Sequence, residues 1–481
     1  MQKMFAGGRL RRLRDERALT QTALAKMLGL SVSYVNQLEN DQRPLTVPVL
    51  LRLNSVFDLD MAFFAADTDA RLLADLQEAL ADHPETADMS AGELDELATR
   101  MPAVAHALVA MHRRVVGTTE QLDSFTSGTE NSVLALPESA TGAAMPYEDV
   151  RDFFYDNRNH IPELDDAAEE LFDGKGLTIG GLDRQLADLL RADFEIGVTL
   201  HADDAGRGPK RRYDARTRTV TLARRLSPGQ RAFQLATQLA FVAYEDVLDV
   251  VLRRASSLPP QSRELARIGL ANYFAGALVL PYGRFLDAAE KLRYDIDLLS
   301  GRFEVGFETI CHRLSTLQRP GRRGVPFFFV RTDRAGNISK RQSATAFHFS
   351  RVGGSCPLWV VHDAFATPGR IRTQIAQMPD GRSYLWLART TGEEQFGYLA
   401  QNREFAVGLG CDLGYASRLV YSTGMNIDDP SAAVPIGAGC KICERPNCAQ
   451  RAFPQVGRAL WIDQNTAGAV PYAPAPDPHD P

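Results

Sequence analysis

The sequence predicts an α+β protein of several domains, and three observations carry that reading. The first is length: 481 residues exceed what one hydrophobic core organises, so the chain divides into three or four units. The second is texture. Up to about Gln318 apolar residues recur at helical spacing, whereas from Gly324 VPFFFVRT, a turn at Asp333-Arg334-Ala335-Gly336-Asn337 and SYLWLART read as strands. The third is the cysteines: of six, Cys440, Cys443 and Cys448 crowd into nine residues near the end of the strand-rich part. Hydrophobic residues at 44% and charged residues at 24% are ordinary globular values and argue against a disordered or fibrous chain.

Residues 1–66 form an all-α head of four or five short helices. Leu10 and Leu13 share a face; Thr20 caps a helix carrying Leu24, Ala25 and Leu28; Gly29 ends it. Ser31 caps the next helix, with Val35 and Leu38 inward, and Leu50, Leu53 and Phe57 line another. Residues 67–118 are Ala/Leu-rich and acidic, a helical connector that also suits dimerisation. Polar residues 119–145 read as a linker, 146–320 as a mostly helical middle domain, 321–464 as a strand-containing cysteine domain, and 465–481 as a Pro-rich tail too apolar-poor to fold.

The net charge of −6 taken alone argues against nucleic acid, but the placement of the charges points the other way. Residues 1–60 hold nine Lys/Arg against six Asp/Glu, and residues 61–130 hold four against thirteen. A basic head on an acidic body presents one end to phosphates. With no apolar stretch of membrane-spanning length and no apolar signal region in MQKMFAGGRLRRLRDE, a cytoplasmic location is expected, with no membrane partner.

The stretch TQTALAKMLGLSVSYVNQLENDQRP has the punctuation of a helix-turn-helix: small Ala25 where helices approach, Gly29 at the turn, and Leu30, Val35 and Leu38 inward. It resembles the Xre/phage-repressor family, which shares Gln21 and Glu39; it departs at Asp41, where Gly is usual. By position, Ser33, Tyr34, Asn36 and Gln37 project toward base edges of a double-stranded operator, and Gln21, Asn40 and Arg43 toward phosphates.

In the middle domain, RAFQLATQLAF (231–241) and ANYFAGALVLP (271–281) resemble the two helices of the IrrE-type metallopeptidases. That chemistry needs two imidazoles one turn apart, a carboxylate base and a third ligand. Thr237, Gln238 and Phe241 stand in their places, and Ile268, Gly269 and Leu270 lie where the further acidic ligand is expected, so a degenerate, non-catalytic domain is predicted. Thr237, Phe241 and Tyr244 share a helical face that Tyr273 meets from the second helix, which describes either a ligand cleft or ordinary core packing.

Cys440-x2-Cys443-x4-Cys448 lies in a Gly-rich loop, with Cys411 upstream in GLGCDLGYA. Four thiolates complete either tetrahedral zinc or a cubane cluster, and spacing leaves both open. Lys441, Arg445 and Arg451 offset thiolate charge; Cys311 and Cys356 are read as structural.

The order of an Xre head, an IrrE-like middle and a cysteine-bearing end resembles the short-chain fatty acyl transcriptional regulators of actinobacteria. The resemblance runs from about residue 6 to 462 and is carried by PYEDVRDFFYDNRNHIPELD, RLSTLQRPGRRGVPFFFVRTDRAGNISKRQSA, GGSCPLW and the cysteine block. It implies a homo-oligomeric regulator of propionate, methylcitrate-cycle or glyoxylate genes with a short-chain acyl-CoA as effector. It further implies a [4Fe–4S] cluster rather than zinc on Cys411, Cys440, Cys443 and Cys448. The competing class is an acyl-CoA-handling enzyme or residual peptidase using the same cleft, for which no paired base and nucleophile is visible.

Overall fold

A computed structural model describes residues 7–57, 67–81, 91–126, 146–201, 208–345, 355–393 and 403–455, a few single positions apart, and parts of 347–349 and 460–470. The chain divides into two compact units, residues 1–119 and 120–481.

The first unit is helical. Its head comprises α1 (Gly7–Glu16), α2 (Gln21–Leu28), α3 (Val32–Glu39) and α4 (Val47–Phe57). Leu10, Leu13, Leu24, Leu28, Val35, Leu38 and Leu53 close a small core between them. The predicted caps are in place: Thr20 accepts from the Ala23 amide and Ser31 from the Tyr34 amide, while Gly29 takes φ 62° to end α2. A second core follows, from α5 (Asp67–Ala81), α6 (Ala91–Arg100) and α7 (Pro102–Thr126), where Leu72, Leu76, Ala98, Ala105 and Val109 pack together. Helix α7 carries regular structure through Thr126, past the expected connector boundary at 118. Residues 127–145 of the expected linker lie outside the described residues, as does Asp41.

The second unit begins with α8 (Pro146–Asp156), α9 (Pro162–Gly174) and α10 (Leu182–Phe194). A three-stranded sheet that helical periodicity gave no sign of comes next, from β1 (Gly197–His201), β2 (Arg211–Asp214) and β3 (Thr219–Ala223) in the order β1-β3-β2. Then come α11 (Pro228–Ala243), α12 (Glu245–Arg254), α13 (Pro260–Val279), α14 (Tyr282–Lys291), α15 (Ile296–Phe303) and α16 (Phe307–Leu314). Helix α11 starts on a capping box, in which Ser227 and Gln230 satisfy each other's backbone amides. The C-terminal half of helix α13 is mostly apolar and buries Leu270, Ala271, Phe274, Ala277 and Leu278, so that half runs through the helical core.

The strands are β4 (Phe328–Thr332), β5 (Ile338–Ser343), β6 (Arg372–Gln377), β7 (Ser383–Glu393), β8 (Arg403–Asp412) and β9 (Val434–Pro435), in the order β5-β4-β8-β7-β6-β9. Pairing is antiparallel except for β6 with β9. Side chains alternate between two cores. Leu385, Leu387, Val407, Leu409 and Phe329 join the helical core, whereas Tyr384, Trp386, Ala388, Phe328 and Val330 face a second core with Phe347 and Trp359. The middle and cysteine-bearing parts, read from sequence as separate domains at 146–320 and 321–464, therefore share one hydrophobic core.

Candidate functional site

In the head, α3 presents Ser33 and Asn36 to solvent and keeps Tyr34 and Gln37 half-buried at its edge. The Arg43 guanidinium lies over the Tyr34 ring, 5.4 Å from its centroid, so a cation is held beside the helix. Glu39 organises the rest. Its carboxylate, 2% exposed as a residue, accepts from Arg14 Nε and from Gln21 Nε2, each at 2.7 Å. Arg11 donates to Asn40 Oδ1 at 2.7 Å, and Asn40 Nδ2 donates to the Asn36 carbonyl at 2.9 Å. Gln21 and Asn40, expected at phosphates, thus spend these groups joining α1, α2 and α3. Ser33, Tyr34, Asn36, Gln37 and Arg43 remain grouped along α3.

In the middle domain the four expected cleft residues do not share one surface. Thr237 is buried, donates to the Phe233 carbonyl at 2.8 Å and meets Asn272 Oδ1 at 3.4 Å. Phe241 lies under the Arg211 guanidinium, 5.6 Å from its ring centroid, and Tyr244 packs on Phe274 with centroids 4.6 Å apart. Tyr273 points elsewhere, because successive helical residues turn by about 100°. Its hydroxyl donates to Asp165 Oδ2 at 2.8 Å and accepts from the Ile161 amide at 3.1 Å, both within the core. A small hollow lies instead at the N-terminal end of α11, lined by Phe172, Leu182, Asp183, Gly229, Phe303 and Glu304 among others.

Tyr273 belongs to a buried polar knot that sequence reasoning missed. Asp165, with 0% exposure, takes Arg313 on Oδ1 at 2.6 Å and Tyr273 on Oδ2, and His160 Nε2 lies 3.2 Å from the same Oδ2. Each Arg313 nitrogen donates once, the other two to the Leu280 carbonyl at 3.0 Å and to Thr316 Oγ1 at 3.1 Å. Burial alone would raise the Asp165 carboxyl, but the Arg313 charge and the hydrogen bonds from His160 and Arg313 outweigh it and hold it below the usual carboxylate range. No local motif marks the pair, whose members stand 148 residues apart.

The cysteines form the third site, with a change of membership. Cys356, Cys440, Cys443 and Cys448 line one small hollow together with Gly437, Arg445 and Arg451. Cys411 is on the other side of the sheet. It pairs with Leu385 across β7 and β8 and shares the face of Val407 and Leu409, packed into the helical core. Cys411, expected as the fourth ligand, therefore does not line the hollow, and Cys356, read from sequence as structural, lines it instead. Two arginines stake the loop: Arg451 donates to the carbonyls of Cys440 (3.2 Å), Cys443 (2.9 Å) and Arg445 (2.6 Å), and Arg445 to those of Gln377 and Ile436. A Cβ at Gly437 would stand 2.6 Å from Cys443 Sγ, so only glycine leaves room for that thiol. Burial pushes the Cys356 thiol up to about 11 and also raises Cys443, whose rise the Arg445 amide and the Arg451 and Arg445 charges oppose. Among the described residues no three His, Cys, Asp or Glu side chains are drawn up as a metal's ligands, yet the donor set suits one: four thiols, two cations and no competing carboxylate.

Three family models match in the order of these sites: "Helix-turn-helix" over residues 10–64, "IrrE N-terminal-like domain" over 191–315 and "Short-chain fatty acyl coenzyme A regulator, C-terminal" over 316–472. The chain is 58% identical to the HTH-type transcriptional regulator PrpR of Mycobacterium tuberculosis, across 98% of this chain and 96% of that one. The chain belongs to the short-chain fatty acyl coenzyme A regulator family. Other members are RamB, a second HTH-type transcriptional regulator of M. tuberculosis, at 48% identity over 98% of this chain and 99% of that one. The propionyl-CoA carboxylase regulator of Cereibacter sphaeroides is 41% identical over the same two shares. A solved M. tuberculosis transcriptional regulator superposes with a TM-score of 0.66 at 62% identity, covering 68% of this chain and all of that one. The family places the helix-turn-helix in a transcription regulator. Among the described residues no helix is long and apolar enough to cross a membrane.

Proposed function

We propose that this regulator acts in the cytoplasm as a homo-oligomer, binds a two-part double-stranded operator through α3, and changes its DNA affinity when the second unit takes up a short-chain acyl-CoA. The observation that carries the DNA half is the edge formed by exposed Ser33 and Asn36 with half-buried Gln37 on a helix fixed by the Glu39 network. The acyl-CoA half is supported by the matched C-terminal family's description and by one relative's name, the propionyl-CoA carboxylase regulator. The ligand would enter beside α11, at the Phe241–Tyr244 edge with Arg211 as a cation for a phosphate, or at the hollow near Gly229 and Glu304. Because the sheet and helices share a core, a ligand that binds one packing better than another biases both halves of the unit.

The middle domain acts in this reading as a sensor and not as an enzyme: Thr237, Gln238 and Phe241 stand at the ligand and base positions of a zinc protease. Cys356, Cys440, Cys443 and Cys448 would hold a [4Fe–4S] cluster. When bound, the cluster supplies a redox-active cross-link between the Cys356 segment and the loop after β9. The chain's own contribution is to fix that loop through Arg445 and Arg451 and to leave room at Gly437 for the Cys443 sulfur.

Anaerobic purification with iron, sulfide and zinc analysis, followed by a thermal shift with propionyl-CoA, tests both additions. A brown protein whose melting temperature rises with propionyl-CoA supports them. One zinc per chain without iron, or unchanged melting at millimolar propionyl-CoA and acetyl-CoA, removes the corresponding part.

A further inference from the structure

The three-stranded sheet of the second unit gathers positive charge in a chain whose net charge is −6. Residues 208–225 hold seven Lys/Arg against one acid, Asp214, whose carboxylate is turned back onto the amides of Arg216 (2.9 Å) and Thr217 (3.4 Å). Lys210, Arg212, Arg216, Arg218, Arg224 and Arg225 are exposed. The seventh, Arg211, turns inward to the Phe241 ring and the Gln234 carbonyl.

Strand alternation sorts the two faces. Tyr213, Val220 and Leu222 pack against the helical core, so the row Thr199–Thr221–Arg212, which the register draws across all three strands, lies on the outer face. Pairing then sets the cations apart. The Lys210 carbonyl accepts from the Ala223 amide at 3.1 Å, which puts Lys210 beside Arg224 and Arg225 at one end of the ribbon, while Arg216 and Arg218 occupy the turn at the other. The five residues of β3 separate the two ends by about 17 Å.

An exposed arginine is ordinarily a solvated charge, and on the helices of this unit it comes with a carboxylate: Arg254 with Glu163, Arg284 with Asp173, Arg322 with Asp287. Arg212, Arg216 and Arg224 make no ion pair among the described residues. Like charges held together on one small sheet repel one another, and an anion from outside relieves that repulsion.

We infer that the outer face of this sheet lies along the sugar–phosphate backbone of duplex DNA, as a second contact that reads no sequence. The inference rests on the chain's being a DNA binder, and not on α3 as the element that reads bases. The spread of the cations selects the polymer. A small phosphate ligand takes cations that converge on one point, whereas these stand at the middle and both ends of a ribbon, and none of them lines either hollow of the second unit. A duplex carries one charge per about 1.7 Å of axis, so a ribbon about 17 Å long faces about ten of them. Arginines and threonine hydroxyls are common donors to phosphate oxygens, and such contacts position a protein without specifying a base.

The test is fluorescence anisotropy of the full chain on a mapped operator with about 20 base pairs of flanking duplex, titrated across NaCl concentration. The triple variant Arg212→Gln, Arg216→Gln, Arg224→Gln is expected to lower the slope of log K against log salt by about 2 to 3 and to weaken binding by more than about 10-fold at 0.1 M salt. Its preference between operator and scrambled duplex stays that of the parent. Arg254→Gln, Arg284→Gln, Arg322→Gln removes the same charge from the helices and leaves the slope unchanged; urea unfolding confirms that both triple variants fold. A head variant, Gln37→Ala with Arg43→Ala, separates this inference from the proposed operator contact. It is expected to keep salt-sensitive binding to long duplex of any sequence, and the sheet substitutions added to it remove that binding. A slope that the sheet variant shares with the parent overturns the inference. So does a loss of thermal stabilisation by free CoA and propionyl-CoA with the slope intact, since the sheet would then serve the phosphates of that small ligand.

Discussion

Removing Arg313 from the buried knot should destabilise the second unit and reverse the pH dependence that Asp165 confers. In the parent the Asp165 carboxyl sits below its ordinary value, so its contribution is fully present above the unfolded carboxylate pKa of about 3.9 and is lost as pH falls through the lower folded value. In Arg313→Met the carboxylate keeps its burial and loses the neighbouring charge, and three donated hydrogen bonds go with it. Burial then dominates and lifts the carboxyl above about 3.9, so its cost grows as pH rises through the new value. Breaking one side of a buried ion pair costs about 3–5 kcal/mol, a large part of a domain's total stability. The loss should be near that range at pH 7 and smaller near pH 4. Urea unfolding followed by tryptophan fluorescence isolates the effect, because all three tryptophans, Trp359, Trp386 and Trp461, lie in the second unit. A loss under about 1 kcal/mol at pH 7, or a pH profile parallel to the parent's, would refute the knot's assigned role.

Other outcomes follow from the same geometry. Cys356→Ser should abolish the visible absorption of anaerobically purified protein, as should Cys443→Ser, while Cys411→Ala should leave the colour and cost about 1 kcal/mol of stability as a small core truncation. Gly410→Val should unfold or severely destabilise the sheet, because a Cβ there stands 2.1 Å from the Phe328 ring; loss of cooperative urea unfolding checks it. Arg43→Ala should weaken binding to all DNA sequences and flatten the salt dependence, whereas Gln37→Ala should relax base preference at a cost of about 1–3 kcal/mol for the matched site, read by fluorescence anisotropy on operator variants. Phe241→Ala should reduce stabilisation by propionyl-CoA without lowering the unliganded melting temperature by more than a few degrees, since Phe241 is half-buried at the edge of the core.

The head was legible residue by residue, because a helix-turn-helix is local: Thr20, Gly29 and Ser31 act on amides within a few positions. What sequence did not show there is that Gln21 and Asn40 also answer to Glu39 and Arg11 across helices. In the sheet, alternation put Cys411 with Val407 and Leu409, but which face carries the cysteine loop is a tertiary fact. Hence sequence alone does not show that Cys356, and not Cys411, lines the hollow with the loop cysteines. The Asp165–Arg313 pair has no periodic or motif signal at all, and Tyr273 looked like a cleft residue until Asp165 claimed its hydroxyl. The β1–β3 sheet escaped because its strands are four or five residues long and polar on one side.

The central claim is that one chain couples an operator to a short-chain acyl-CoA, and fluorescence anisotropy of a mapped operator fragment, titrated with full-length protein at fixed salt with and without propionyl-CoA, tests it most directly. The account predicts specific binding whose dissociation constant shifts by about 5- to 150-fold with propionyl-CoA, the span of ordinary coupling free energies, and does not shift with free CoA. An operator affinity identical in the presence and absence of saturating propionyl-CoA would contradict it.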